Sequence, residues 1–278
     1  MISRHARNAL VDAALVGSVA LLLVFFYVPI VTLVAFSFTS SRVLTLPIEG
    51  FSLEWYGELV RKPDFWPAVT NSALVAAIST VFATVLGTAG AIAWIRFRFR
   101  FQNAFRAVTF APLLFPQLLL GVVMLLWFSV LGNWLGFSTG LATVIVGHVV
   151  YVTPFALVIV AVQVYGFDAS LEDAARDAGA TGWEVFREVT FPLLWPGVFS
   201  AASFSFLLSW GNFYVSYSLA GSARTLPVFV YSGIAVGSSP IYPALATLNF
   251  VPALALVAVA EVMRRRALKR QRLPTAEG

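Results

Sequence analysis

The sequence predicts an all-α, polytopic membrane protein with six transmembrane helices, and three observations predict it. The 278 residues are 59% hydrophobic and only 11% charged, with a mean hydropathy of +0.86, whereas soluble domains carry about a quarter charged residues. Uncharged stretches run over 13–41, 65–95, 107–167, 189–223 and 225–260, each longer than the roughly 20 apolar residues that a spanning helix needs. Lys and Arg are dense in alternate connections and sparse in the others, which is the charge signature of a multi-pass topology.

The first span is expected at 12–38, after a short N-terminal segment, 1–11. It follows Arg4 and Arg7 as a cleaved leader would, but its apolar run is too long and lacks a convincing small-residue cleavage site, so it reads as a retained helix. The segment 39–68 is punctuated by Pro47, Gly50, Pro63 and Pro67 and carries an amphipathic Ser52-Leu53-Glu54-Trp55-Tyr56 stretch, which suits the membrane surface. A second span at 69–95 leads into Arg96-Phe97-Arg98-Phe99-Arg100-Phe101, an alternation of charge and ring that reads as a headgroup anchor. The long third stretch is broken at Gly132-Asn133-Trp134-Leu135-Gly136, giving spans at 107–131 and 141–163; the remaining two fall at 196–219 and 245–263, before a basic tail, 264–278.

An even number of spans puts both termini on one side. Fourteen of the eighteen basic residues lie on that side, so both termini and the loop 164–195 are expected in the cytoplasm. The same asymmetry accounts for a pI near 9.8 without any nucleic-acid partner. With no cysteine, and with His5 and His148 far apart, thiol, disulfide and clustered metal chemistry are not expected. A phosphate-binding loop needs Lys directly after Gly, whereas Lys62 and Lys269 follow Arg61 and Leu268.

The loop 164–195 carries the strongest local signals. Ser170-Leu171-Glu172-Asp173 places a hydroxyl three residues before a carboxylate, the spacing of a helix start, and Gly179 supplies a stop, so a helix is expected over 171–178. Thr181-Gly182-Trp183-Glu184 repeats the pattern and predicts a second helix over 182–190, with Pro192 and Pro196 separating it from the fifth span. Ala174, Ala175 and Ala178 are small residues on the first helix, where another body can approach the backbone.

Here the chain resembles the permeases of binding-protein-dependent ABC importers. Their cytoplasmic loop carries Glu-Ala-Ala, three residues, Gly, nine residues, then Ile-x-Leu-Pro; this chain has Asp173-Ala174-Ala175, Gly179 and Val189-Thr190-Phe191-Pro192 at the same spacing. The resemblance implies a type I permease whose loop helix docks in a groove of a separate ATPase, with Glu172, Asp173, Ala174, Ala175, Gly179, Ala180 and Pro192 at the dock. It further implies an ATPase dimer holding ATP and Mg, a second permease subunit, related or identical, and an extracytoplasmic solute-binding protein, with no cofactor and no catalytic residue on this chain. Phe51-Ser52-Leu53-Glu54-Trp55-Tyr56, Asn71-Ser72 and Thr225-Leu226-Pro227 look most like the spermidine/putrescine group. That group often has acidic residues after a serine in the fifth span, where this chain reads Ser209-Trp210-Gly211-Asn212-Phe213.

In the fifth span, Ser205, Ser209, Asn212 and Ser216 recur at helical spacing as a polar stripe that either lines a path or serves helix packing. Trp210, Tyr214 and Tyr217 form a second stripe, better suited to packing than to cradling a solute. His148, inside the fourth span, is expected to hydrogen-bond another helix. Two rival readings fare worse: an ion-driven transporter would carry intramembrane carboxylates, and spans two to five contain none; a membrane enzyme would need a catalytic constellation that the sequence does not offer.

Overall fold

The computed structural model describes residues 4–236 and 239–271, with side-chain surroundings for 11–235, 239–259 and 261–262. The basic tail 264–278 therefore lies outside the described side chains. Within the described residues, six helices are long and apolar enough to cross a membrane: Val11–Phe36, Phe65–Arg96, Gln117–Leu135, Leu141–Gly166, Gly182–Trp210 and Ile241–Val259. The chain divides into two units, Met1–Lys62 with Ser232–Gly278, and Pro63–Tyr231.

In the first unit, α1 (Arg4–Phe36) exposes Leu, Val and Phe side chains all round over 11–30, as a helix solvated by lipid does. The amphipathic stretch after it folds as α2 (Glu54–Arg61), which buries Trp55 and Leu59, four residues apart on one face. The Trp55 indole donates to the Thr39 carbonyl (2.6 Å), and the Tyr56 and Ser37 hydroxyls lie 2.7 Å apart, so the surface segment is tied to the end of α1.

The second unit is built on α3 (Phe65–Arg96), followed by α4 (Gln102–Leu114), α5 (Gln117–Leu135) and α6 (Leu141–Gly166). The α3 and α6 backbones approach closely. At Gly87 an added Cβ would sit 2.7 Å from Ala156 Cβ and 2.8 Å from the Leu157 nitrogen, so only glycine permits this spacing. The expected third span, 107–131, is not continuous: α4 ends and α5 begins on either side of Phe115 and Pro116. Proline pushes the residue before it out of the helical region, and Phe115 takes an extended ψ of 136°.

The loop after α6 holds α7 (Ser170–Asp177) and α8 (Gly182–Val185). A π-helical turn, Phe186–Thr190, then runs into α9 (Phe191–Trp210). This corrects the expected separation at Pro192 and Pro196. The Phe191 amide donates five residues back to the Phe186 carbonyl, and Pro192 falls in the first turn of α9, where its missing N–H breaks no ladder. The helix start at Ser170 is corrected too. Ser170 is already helical, and the Asp168 carboxylate two residues earlier accepts its amide at 2.9 Å.

The fifth span, expected unbroken over 196–219, stops at Trp210 and resumes as α10 (Tyr214–Leu219), leaving Gly211, Asn212 and Phe213 outside the helices. A further short apolar helix, α11 (Leu226–Val236), was not expected and carries the chain into the first unit. There α12 (Ile241–Asn249) and α13 (Val251–Gln271) form the sixth span, expected as one helix over 245–263, as two helices joined at Phe250. Pro252 has no N–H for the Leu248 carbonyl, and a turn at Phe250, whose amide donates to Thr247 at 3.2 Å, takes up the defect.

Candidate functional site: a braced loop helix and a buried polar knot

Two assemblies in the second unit gather the expected site residues. The first is α7 with its surroundings. Its C-terminus closes with the Gly179 amide donating to Arg176 (2.9 Å) and the Ala180 amide donating to Ala175 (3.1 Å), the reciprocal pattern that a residue at φ +92° permits. Glu172 turns inward: its carboxylate accepts a 2.7 Å bond from the Thr190 hydroxyl and lies 3.7 Å from Arg176, joining α7 to the π-helical turn. Asp173 is exposed and pairs with Arg176 at 2.7 Å. Ala174 and Ala178 lie on the open face beside Leu171, whereas Ala175 and Ala180 are half-buried and Pro192 is exposed at the start of α9.

At the base of α8 the expected reciprocal cap is present: the Thr181 amide donates to Glu184 Oε2 (2.7 Å) and the Glu184 amide to Thr181 Oγ1 (3.4 Å). A cavity of about 180 Å³ beneath α7 is lined by Arg96, Phe167, Glu172, Arg176 and Thr190, among others. Arg96 donates to the Phe167 carbonyl at 3.3 Å and stacks 4.7 Å from the Phe167 ring. Asp168 follows at once. The Ser170 amide, then its hydroxyl, hold that carboxyl below the usual carboxylate range.

The second assembly lies where the fifth span breaks. His148, 1% exposed, has Nδ1 2.7 Å from Ser209 Oγ and Nε2 3.0 Å from Ser216 Oγ, so one imidazole staples the helices on both sides of the break. A neutral imidazole has one donor and one acceptor, so one serine accepts and the other donates. Asn212, 4% exposed, accepts the Val215 amide at 3.1 Å and starts α10; its Nδ2 and the Ser205 hydroxyl are buried with no hydrogen-bond partner.

Ser205, Ser209, Asn212 and Ser216 are thus all buried, and the helix presenting them is discontinuous. Trp210 is buried and stacks on Phe206 before the break, while Tyr214 is exposed and touches its neighbour Phe213 after it, so the aromatic stripe divides. Among the described residues, the buried polar side chains are Ser, Thr, Asn and His, with none formally charged.

Two features were missed from the sequence. Thr80, Thr84 and Thr88 form a row on α3 with buried hydroxyls that have no partner, a row legible from its spacing of four. Asn71 and Ser72 reach Arg224 and Leu226. The Asn71 amide group donates to the Arg224 carbonyl (3.0 Å), and the Leu226 amide donates to Ser72 Oγ (2.7 Å).

A helical membrane protein with a polar, uncharged interior at a broken span and a braced helix outside the spans has the build of a transport subunit. The sequence profile of the family described as "Binding-protein-dependent transport system inner membrane component" matches residues 83–272, and the chain belongs to that family. It is 36% identical over 260 residues to the putrescine transport system permease protein PotI of Escherichia coli (strain K12), a match covering 89% of this chain and 92% of that protein. It is 32% identical over 250 residues to the spermidine/putrescine transport system permease protein PotC of the same organism, covering 90% and 93%. Among solved structures, a chain of the bacterial alginate ABC transporter in complex with alginate pentasaccharide-bound periplasmic protein aligns with TM-score 0.74 at 17% identity, over 94% of this chain and 96% of that one. The relatives are transport permeases, and this chain is a permease subunit, not an enzyme.

Proposed function

We propose that this subunit forms part of the translocation path of an ATP-driven importer for a small organic solute of the polyamine type, and that α7 is the element on which a separate ATPase subunit acts. The single observation that carries the ATPase docking is the build of α7. It is capped at both ends and braced to the π-helical turn through Glu172 and Thr190, yet it leaves Leu171, Asp173, Ala174 and Ala178 open. A push on that face passes through Glu172 into the turn that is continuous with α9, so α7 and the fifth span move as one lever. Gly179 and Ala180 close the helix that bears the face, and Pro192 stands where the lever enters α9.

The end carrying α7 is cytoplasmic in this reading, because Arg96, Arg98, Arg100, Arg106, Arg176 and Arg187 gather there. ATP and Mg sit on the ATPase dimer, a related or identical permease completes the path, and an extracytoplasmic binding protein delivers the solute. Ser209, Trp210, Asn212, Tyr214 and Ser216 border the path, with Asn212 its central polar group. The names of the relatives support an amine cargo. A second reading, a solute rich in hydrogen-bond acceptors, is favoured by the unpartnered Asn212 Nδ2 donor and the absence of buried carboxylates among the described residues.

The test is co-purification of the solubilised chain with its ATPase, followed by uptake into proteoliposomes bearing the binding protein. Asp173→Arg and Gly179→Asp are expected to lower ATPase association at least tenfold while inserting normally. An unchanged association overturns the dock. Putrescine uptake that unlabelled putrescine competes and neutral solutes do not supports the amine reading; the reverse pattern supports the second.

A further inference from the structure

The link between α3 and α4 carries a feature that the transport reading does not use. Phe97 starts it in an extended conformation (φ −116°, ψ 141°), and the chain then turns over 99–102, where the Gln102 amide donates to the Phe99 carbonyl at 3.1 Å. Phe97 and Phe101 are 61% and 69% exposed, and Arg98 and Arg100 between them are exposed as well. The strap is held at both ends: Gln102 Nε2 donates to the Trp94 carbonyl (2.8 Å) and reaches the Phe97 carbonyl (3.4 Å), while the Phe99 ring packs 5.8 Å from Phe105. It is a built surface at the end of a membrane-spanning helix.

Its charge is unbalanced. The sequence has no Asp or Glu between Asp64 and Asp168, and among the described residues no carboxylate pairs with Arg98 or Arg100. The neighbouring arginines are engaged, Arg96 with the Phe167 carbonyl and Arg106 with Asn103. Arg100 stacks 5.8 Å from the Phe101 ring, which leaves its guanidinium edge open. Two open guanidinium groups flanked by two open phenyl rings match one chemistry: a phosphodiester above acyl chains.

We infer that Phe97, Arg98, Arg100 and Phe101 form a binding site for an anionic phospholipid of the leaflet on the α7 side. The rings enter the acyl boundary and the guanidinium groups bind the headgroup phosphate and its net charge. The site selects net-anionic headgroups over zwitterionic ones, because Arg98 and Arg100 bring no carboxylate to meet a headgroup ammonium.

The chain has no cysteine, so Ala104→Cys, at an exposed position that leaves the Arg106–Asn103 bond intact, accepts a single fluorophore next to the strap. In nanodiscs containing the full chain, quenching by brominated phosphatidylglycerol is compared with quenching by brominated phosphatidylcholine. Each arginine near the surface contributes about a fivefold preference for anionic lipid. The wild-type strap is therefore expected to favour phosphatidylglycerol by about 25-fold on this scale, and Arg98→Gln/Arg100→Gln to bring the two lipids close to parity. Phe97→Ser/Phe101→Ser is expected to reduce quenching by both lipids.

Equal quenching in the wild type overturns the site, as does a preference that survives loss of both arginines. Relief of quenching by millimolar inorganic phosphate would instead identify a free-anion site. Selectivity that vanishes when the ATPase subunits are added would make the strap a protein contact; either result overturns the lipid assignment.

Discussion

Replacing His148 with leucine tests whether the imidazole holds the broken fifth span together. The substitution removes two buried bonds, 2.7 Å to Ser209 and 3.0 Å to Ser216, between groups that are at most 3% exposed. Side-chain hydrogen bonds between membrane helices average about 0.6 kcal/mol and reach about 1.7. Two of them give a loss of about 1–3 kcal/mol, moderated because each stranded serine can turn to a carbonyl of its own helix. The assay is a double-mutant cycle, with His148→Leu crossed against Ser209→Ala and against Ser216→Ala and stability read from unfolding of the purified chain. Each cycle is expected to show a coupling of about 0.5–1.5 kcal/mol. With both serines already alanine, His148→Leu is expected to cost less than it does alone. Coupling near zero in both cycles would refute the staple and leave His148 as packing.

Three further outcomes follow from the geometry. Thr190→Val removes the 2.7 Å bond to the Glu172 carboxylate and is expected to loosen α7 by about 1–2 kcal/mol, seen as a severalfold to tenfold or greater rise in hydrogen exchange of its amides with α6 unchanged. Gly87→Val is expected to abolish monodisperse folded protein, because its Cβ would meet Ala156 and the Leu157 backbone inside 3 Å; size-exclusion profiles report it. The third concerns pH. The Asp168 carboxyl is lowered by the Ser170 amide and hydroxyl, so its contribution to the start of α7 is present above the unfolded value near 4 and is lost as pH falls through the lower folded value. Hydrogen exchange at the first turn of α7 is expected to show that acid-side loss in the wild type and not in Asp168→Ala.

The residues that made the fold legible act locally. Continuous apolar runs declare spans one by one. Thr181 with Glu184 and Gly179 declare helix ends through contacts no more than a few residues away, and both stand where the spacing put them. Prolines were harder to read, because their effect depends on what the backbone does around them. Pro116 breaks the expected third span, whereas Pro192 and Pro196 sit inside a continuous course because a π-helical turn shifts the hydrogen bonds ahead of them. A capping signal can also be usurped, as when Asp168 takes the role expected of Ser170.

By itself, then, the sequence determined the lipid-soluble class, the six spans and the loop helix with its stop at Gly179. These depend on the solvent each segment prefers and on hydrogen bonds within a turn. Tertiary structure alone decided that His148 bonds residues 61 and 68 positions away, that Asn71 and Ser72 meet Arg224 and Leu226 more than 150 positions away, and that Glu172 joins α7 to Thr190. Such pairings require two helices to be packed at a particular depth and rotation. The close approach of α3 to α6 at Gly87 is one of the contacts that sets that depth and rotation, and no pattern along one strand of sequence encodes it.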